Sequence, residues 1–219
     1  MMAQPSGAPV FPPFSVISPQ FITPEPIEII VNKYPGRNLM ITDINHTIMF
    51  RVKECKTNRL QLALLDANEK PIVMLQKAFS LHNRWNVFKG ESVSDSDMIF
   101  TAKTETMKFK ASVIMMLANK MRSKDVCDLR IKGSWSMGNI TIYKGDSSTV
   151  VAQMHKPQET KYAKNKFTAT IQPNMDYACV VALFAIVEYE ENPTLIGAAA
   201  KIKSYENAID TAGNFITKK

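Results

Sequence analysis

At 219 residues the chain is long enough for one large domain, and 45% hydrophobic with 21% charged residues excludes a disordered polypeptide. The 27 basic side chains outnumber the 20 acidic ones, and the resulting charge of +7 either favours an anionic partner or serves solubility. Cys55, Cys127 and Cys179 show no CxxC or zinc-type spacing and each adjoins an apolar run, which predicts buried free thiols in a reducing compartment.

In chain order, residues 1–26 come first and carry seven of the twelve prolines with one charged side chain, Glu25. Proline has no N–H to give a sheet, so an extended, mobile and disordered arm that docks on nothing is expected, the alternative being docking through Phe11, Phe14 and Phe21. Its start lacks the basic residues and unbroken apolar run of a secretory signal.

From Ile27 to Asn32 onward the chain breaks into short β-like runs. Leu39 to Asp43 and Thr47 to Lys53 flank the polar turn Ile44-Asn45-His46, and Leu60 to Leu65 and Pro71 to Lys77 flank residues 66–70. Both read as hairpins, because Asn and Asp tolerate the positive φ of tight turns. Arg84 to Lys89, Met98 to Lys103, Met107 to Leu117, Val126 to Lys132, Asn139 to Lys144, Thr149 to His155 and Lys166 to Gln172 complete about twelve strands, at a spacing that argues for a sandwich or barrel. Phe50-Arg-Val-Lys53, Met107-Lys-Phe-Lys110 and Leu129-Arg-Ile-Lys132 alternate apolar with basic, so one face is buried and the other wet.

Pro173 then stops the last strand, and Asn174 or Asp176 can cap a helix over Asp176 to Val187. That helix is apolar on every side from Tyr177 onward, with Ala178, Val181, Ala182 and Ala185 forming a small-residue face. Its eleven apolar residues rise about 16 Å, too little for a hydrocarbon core of about 30 Å, so protein must surround it. A closed antiparallel β-barrel around a central hydrophobic helix satisfies both patterns. Residues 27–187 are therefore one barrel domain, and the acidic Glu188-Tyr-Glu-Glu191 opens a peripheral tail to Lys219, with Ala198 to Ile209 a short helix.

Catalytic signatures are missing. His46, His82 and His155 share no spacing, Asp95/Asp97 and Glu190/Glu191 fall in polar segments unsuited to raising a carboxylate pKa, and no phosphate loop or nucleophile elbow occurs. Neither an enzyme nor a cofactor or metal site is expected. Trp85 and Trp135 are expected to close a barrel end.

The basic residues are the functional lead. Arg51/Lys53, Lys108/Lys110 and Arg130/Lys132 each put two cations on one strand face, with Lys120, Arg122 and Lys124 between the later pairs. From Lys103 to Lys132 eight basic residues outnumber three acidic ones, so neighbouring strands here would form an anion-binding patch. The competing reading is a solvated barrel exterior.

The ordered segments I-T-D-I-N, F-R-V-K-E, L-L-D, P-I-V, H-N-R-W-N-V-F-K-G, C-D-L-R-I-K-G-S-W, V-A-Q-M-H-K and F-T-A-T-I-Q-P-N-M-D-Y-A, from Tyr34 to Val187, resemble the plant LURP-one-related family. The resemblance implies the tubby C-terminal-like fold, a twelve-stranded barrel around a hydrophobic helix, with relatives that bind phosphoinositide headgroups and a link to plant defence. No site residue carries over from it.

The expected function is a monomeric, non-catalytic module for anionic membrane lipids in the cytoplasm or nucleus, peripheral at the plasma membrane and without a transmembrane span. Two alternatives stand beside it: a nucleic-acid-binding or membrane-released regulator, and a ligand carrier or enzyme with a barrel pocket.

Overall fold

The computed structural model describes residues 12–57, 60–78, 83–107, 110–120, 127–156 and 165–191, with backbone alone for 105–107, 110–111 and 120. The strands are β1 (Ile27–Tyr34), β2 (Asn38–Asp43), β3 (Ile48–Glu54), β4 (Gln61–Asp66), β5 (Pro71–Lys77) and β6 (Arg84–Lys89). They continue as β7 (Met98–Met107), β8 (Lys110–Leu117), β9 (Leu129–Gly133), β10 (Thr141–Lys144), β11 (Val150–His155) and β12 (Lys166–Ile171). One helix follows, α1 (Tyr177–Glu191).

Every strand pairs antiparallel with its sequence neighbours, and β1 closes the barrel on β12 through Ile29↔Ala169 and Val31↔Phe167. Closure leaves no exposed sheet edge. The alternation sorts as expected: Phe50, Val52, Leu129 and Ile131 are at most 2% exposed and face inward, with Arg51, Lys53, Arg130 and Lys132 turned out. Each of the twelve expected strands is present, with ends shifted by a few residues.

The barrel interior is occupied by α1, whose residues Ala178 to Val187 are at most 2% exposed. The helix differs from the expected span in running a full turn beyond Val187. Glu188, Tyr189 and Glu190 are buried rather than part of a peripheral tail, and residues 192–219, including the expected Ala198 to Ile209 helix, lie outside the described residues. A buried helix end needs partners for its polar groups, and this last turn supplies carboxylates that the barrel wall receives.

The arm also differs from expectation. Residues 1–11, with Phe11, lie outside the described residues, but 12–26 are docked across the barrel end where α1 begins. The Phe14 N–H donates to the Asn174 carbonyl at 2.8 Å, and Phe21 packs edge-on to Phe50 and Tyr177 at 5.6 Å. Asp176 fixes the arrangement. One carboxylate oxygen caps α1 by accepting from the Cys179 N–H at 3.0 Å, and the other accepts from Val16, Ile17 and Ser18 at 3.0, 2.7 and 3.2 Å. Burial pushes the Asp176 pKa up, against the four N–H donors that favour its charge. A proline-stiffened segment loses little entropy on ordering, so a few strong hydrogen bonds suffice to hold it.

Asp176→Ala leaves those four donors without their acceptor. We expect a loss of about 3 kcal/mol, measured by denaturant unfolding. Hydrogen exchange at Val16 to Ser18 should rise more than in the barrel wall; equal protection there would remove Asp176 as the arm's anchor.

Candidate anion-binding surface

The up-and-down topology gives the barrel two rims. The proximal rim, where α1 starts, carries the β2–β3, β4–β5, β6–β7 and β10–β11 turns and the docked arm. The distal rim, where α1 finishes, carries residues 35–37, 55–57, 78, 83 and 134–140 and the last turn of the helix.

The distal rim holds a belt of buried ion pairs around the helix end. Glu188 meets Lys33 of β1 at 2.7 Å, and Glu190 accepts from Lys77 of β5 and from the Trp85 indole N–H of β6 at 2.9 Å. Glu191 accepts from the Trp135 N–H at 2.8 Å, the Ser136 N–H at 3.2 Å and the Ser134 hydroxyl at 2.9 Å. Arg37 bonds Glu54 at 3.0 Å, and its guanidinium lies 3.8 Å from the centroid of the Tyr189 ring. Burial pushes the Tyr189 phenol pKa up, and the adjacent Arg37 opposes this. Three carboxylates within one turn thus tie α1 to three sectors of the wall.

Glu190/Glu191 therefore do not sit in a solvated segment, as their sequence neighbourhood suggests. Nor are they poised for acid–base chemistry, because each carboxylate is occupied by donors of the barrel wall. Trp85 and Trp135, at 0% and 2% exposure, close this end as expected. Cys179 is buried, and burial raises its pKa well above the usual value, but Cys55 and Cys127 are only half-buried. His46 is on the proximal rim and His155 on the distal one, and His82 lies outside the described residues. Among the described residues no His, Cys, Asp or Glu cluster could hold a metal, and no helix is long and apolar enough to cross a membrane. A cavity of 10 Å³ beneath the arm, lined by Phe14, Leu129, Val151 and Met175, has room for about one water.

The predicted cations divide. Arg51 and Lys53 share a partner, Glu69 of the β4–β5 turn, at 3.2 and 2.8 Å, and the Lys53 ammonium bonded to Glu69 holds that carboxyl below its usual range. Arg130 pairs with Asp146 of the β10–β11 turn, and the Lys132 ammonium is 5.7 Å from the centroid of the Tyr143 ring. In the barrel order, β3 and β9 are six strands apart in either direction. Arg51/Lys53 and Arg130/Lys132 thus lie on opposite walls and form no common patch. Lys108, Arg122 and Lys124, and the side chains of Lys110 and Lys120, lie outside the described residues.

A different grouping emerges on the rims. Among described side chains, the proximal rim carries Asp43, Asp66, Glu69, Glu91, Asp95 and Asp97 against Lys70, Lys89 and Lys144. The distal rim carries Lys33, Arg37, Lys56, Lys132, Lys156 and Lys166 against Glu54 and the helix-end carboxylates. Lys56, Lys132 and Lys156 are exposed and make no ion pair among the described residues. The sequence count of charges between Lys103 and Lys132 missed this, because the grouping joins alternate loops rather than adjacent residues.

The profile of the LURP-one-related family matches residues 30–188. The chain belongs to the LURP-one-related family. Among its relatives from Arabidopsis thaliana, Protein LURP-one-related 10 is 37% identical over 80% of this chain and 95% of its own. Protein LURP-one-related 15 is 36% identical over 84% and 89%, and Protein LURP1 is 29% identical over 82% and 91%. An X-ray structure of an Arabidopsis thaliana protein superposes with a TM-score of 0.66 at 31% identity, covering 81% of this chain and 99% of that one. The LURP-one-related match ends at residue 188, so Glu190 and Glu191 fall just beyond it, although α1 depends on them.

Removing one member of a buried ion pair strands the other. Glu190→Ala should cost about 3–5 kcal/mol, whereas the double change Lys77→Met with Glu190→Leu should recover part of it, the Trp85 indole N–H still lacking its acceptor. Chemical denaturation of the two variants checks this. Equal losses in both would show that shape, not charge, matters at this position.

Proposed function

We propose that this LURP-one-related chain is a non-catalytic module that docks its distal rim on an anionic phospholipid surface. The observation that carries the reading is the separation of charge between the rims: exposed Lys56, Lys132 and Lys156 on one, carboxylates on the other. Such a molecule is oriented by a negative surface before it touches it, because the field attracts one end and repels the other. The lysines stand on the rim of a closed barrel whose interior is filled by α1, so the working surface is external. The filled interior and the occupied helix-end carboxylates argue against the alternative of a ligand carrier or enzyme using the barrel lumen.

At about 1 kcal/mol per lysine near an anionic surface, three exposed lysines give partitioning that salt weakens. The triple variant Lys56→Glu, Lys132→Glu, Lys156→Glu should sediment with phosphatidylserine- or phosphoinositide-containing vesicles at least a hundred-fold more weakly, by roughly that increment per residue. Arg51→Glu with Lys53→Glu, on the side wall where both cations already share Glu69, should bind nearly as the parent does. Equal loss in both variants would remove the rim as the surface. Tight binding to duplex DNA with none to vesicles would replace the lipid by a nucleic acid.

A further inference from the structure

The loop 134–140, between β9 and β10, is held to the distal rim from several sides. From beneath, Glu191 gathers the Ser134 hydroxyl and the Trp135 and Ser136 N–H groups. From within, the Trp135 ring turns into the barrel and meets Phe167 at 5.0 Å. From the side, Gly138 takes φ +63, and a Cβ there would fall 2.5 Å from the Cβ of Lys156. The Lys156 N–H donates to the Gly138 carbonyl at 3.0 Å, fixing the loop to the end of β11. Inside the loop, the Gly138 N–H donates to the Trp135 carbonyl at 2.9 Å and Asn139 Oδ1 accepts from the Ser134 N–H at 3.0 Å.

This clamped loop presents Met137 to water at 63% exposure. A rigid loop loses its exposed apolar area on binding without first having to order itself, which is how a preformed contact gains affinity. Met137 also has cations beside it: Lys156 adjoins the next residue, and Lys132 stands at the base of the loop. Tyr34, 46% exposed, lies on the same rim. The exposed apolar residues of the other rim, Ile44 at 61% and Val93 at 44%, stand among Asp43, Glu91 and Asp95 instead. An anionic surface would repel those. Among the described residues only the distal rim combines an exposed unbranched apolar side chain with lysines that make no ion pair, the pairing suited to the headgroup boundary of a negative bilayer.

We propose that Met137 is the insertion element of this protein, entering the boundary between headgroups and acyl chains of an anionic bilayer. Lys132 and Lys156 lie against the lipid phosphates as it does so. Glu191 is the positioning residue, because its carboxylate holds the loop at the height from which Met137 reaches the lipid. The proposal rests on the lipid-surface reading above and adds the group that penetrates and the group that aims it.

The test uses the full chain and vesicles of phosphatidylcholine and phosphatidylserine, some with acyl chains brominated near the headgroup. In Met137→Trp, the buried Trp85 and Trp135 supply a constant background, so a blue shift and bromine quenching on vesicle addition report the new side chain. Both are expected. Met137→Asp should partition about ten-fold more weakly, with an unchanged melting temperature because the position is exposed. In the double variant Met137→Trp, Glu191→Gln, quenching should fall by more than sedimentation does, a split that a merely structural role for Glu191 would not produce. Wild-type sedimentation with no quenching of Met137→Trp and no loss in Met137→Asp would overturn the insertion and leave the charged rim standing. Failure of the wild-type chain to sediment with any anionic vesicle would overturn both. A stoichiometric protein complex abolished by Met137→Asp, without vesicle binding, would assign the loop to a protein partner and likewise overturn the proposal.

Discussion

An α-helix with no polar side can exist in this protein only because twelve strands wrap it, and the strands can close only because the helix fills them. Val180, Val181, Leu183, Phe184, Ile186 and Val187 are at most 1% exposed, and their transfer from water contributes on the order of 10 kcal/mol. The contact is non-directional, however, and a smooth apolar rod could slide or rotate within a barrel. Polar groups at its two ends prevent that. Asp176 fixes the start against the arm and the first turn, and Glu188, Glu190 and Glu191 fix the finish against separate sectors of the wall. Hydrophobic burial supplies the stability, and the charged and polar contacts of these four carboxylates supply the register.

This division has a bearing on function. Of the acidic groups described on the distal rim, Glu54, Glu188 and Glu190 are paired with Arg37, Lys33 and Lys77, and Glu191 is turned inward onto three neutral donors, so none of the four pairs with the exposed Lys56, Lys132 or Lys156. On the opposite rim the acids sit in turns, where Asp43 and Asp66 each accept two N–H groups and hold hairpins in shape. The same residue type thus serves the fold at both ends, yet its burial at one end and exposure at the other leave the molecule electrically polar.

Much of this was legible in the sequence. The strand periodicity, the turn residues and the eleven-residue apolar run sufficed for the barrel and its occupant, because those signals are local and each residue carries its own share. Glu188-Tyr-Glu-Glu191 was misread as a solvated tail because the partners that make its burial tolerable, Lys33, Lys77 and Trp135, lie more than fifty residues away. The arm was misread for a related reason: nothing in a proline-rich stretch announces that a single distant carboxylate will collect three of its N–H groups. The joining of the first cation pair with the third failed on geometry. Arg51/Lys53 and Arg130/Lys132 have the same local pattern, but the barrel sets them on opposite walls. In an up-and-down barrel successive loops alternate between rims, so charge must be summed over every second loop, and a linear window blends the two ends.

The position of α1 along the chain has a consequence for biosynthesis. The helix that all twelve strands enclose comes after the last of them, and β1 must wait for β12 as its second neighbour. About 150 residues separate Ile27 from Tyr177, so at ribosomal rates of ~5–20 residues per second the nascent strands spend roughly 8 to 30 s without their interior. Hairpins can form in that interval, but their apolar faces stay open until the helix emerges. Chaperone holding during translation, and a slow closing step dominated by contacts distant in sequence, are the natural demands of a barrel whose core is made last.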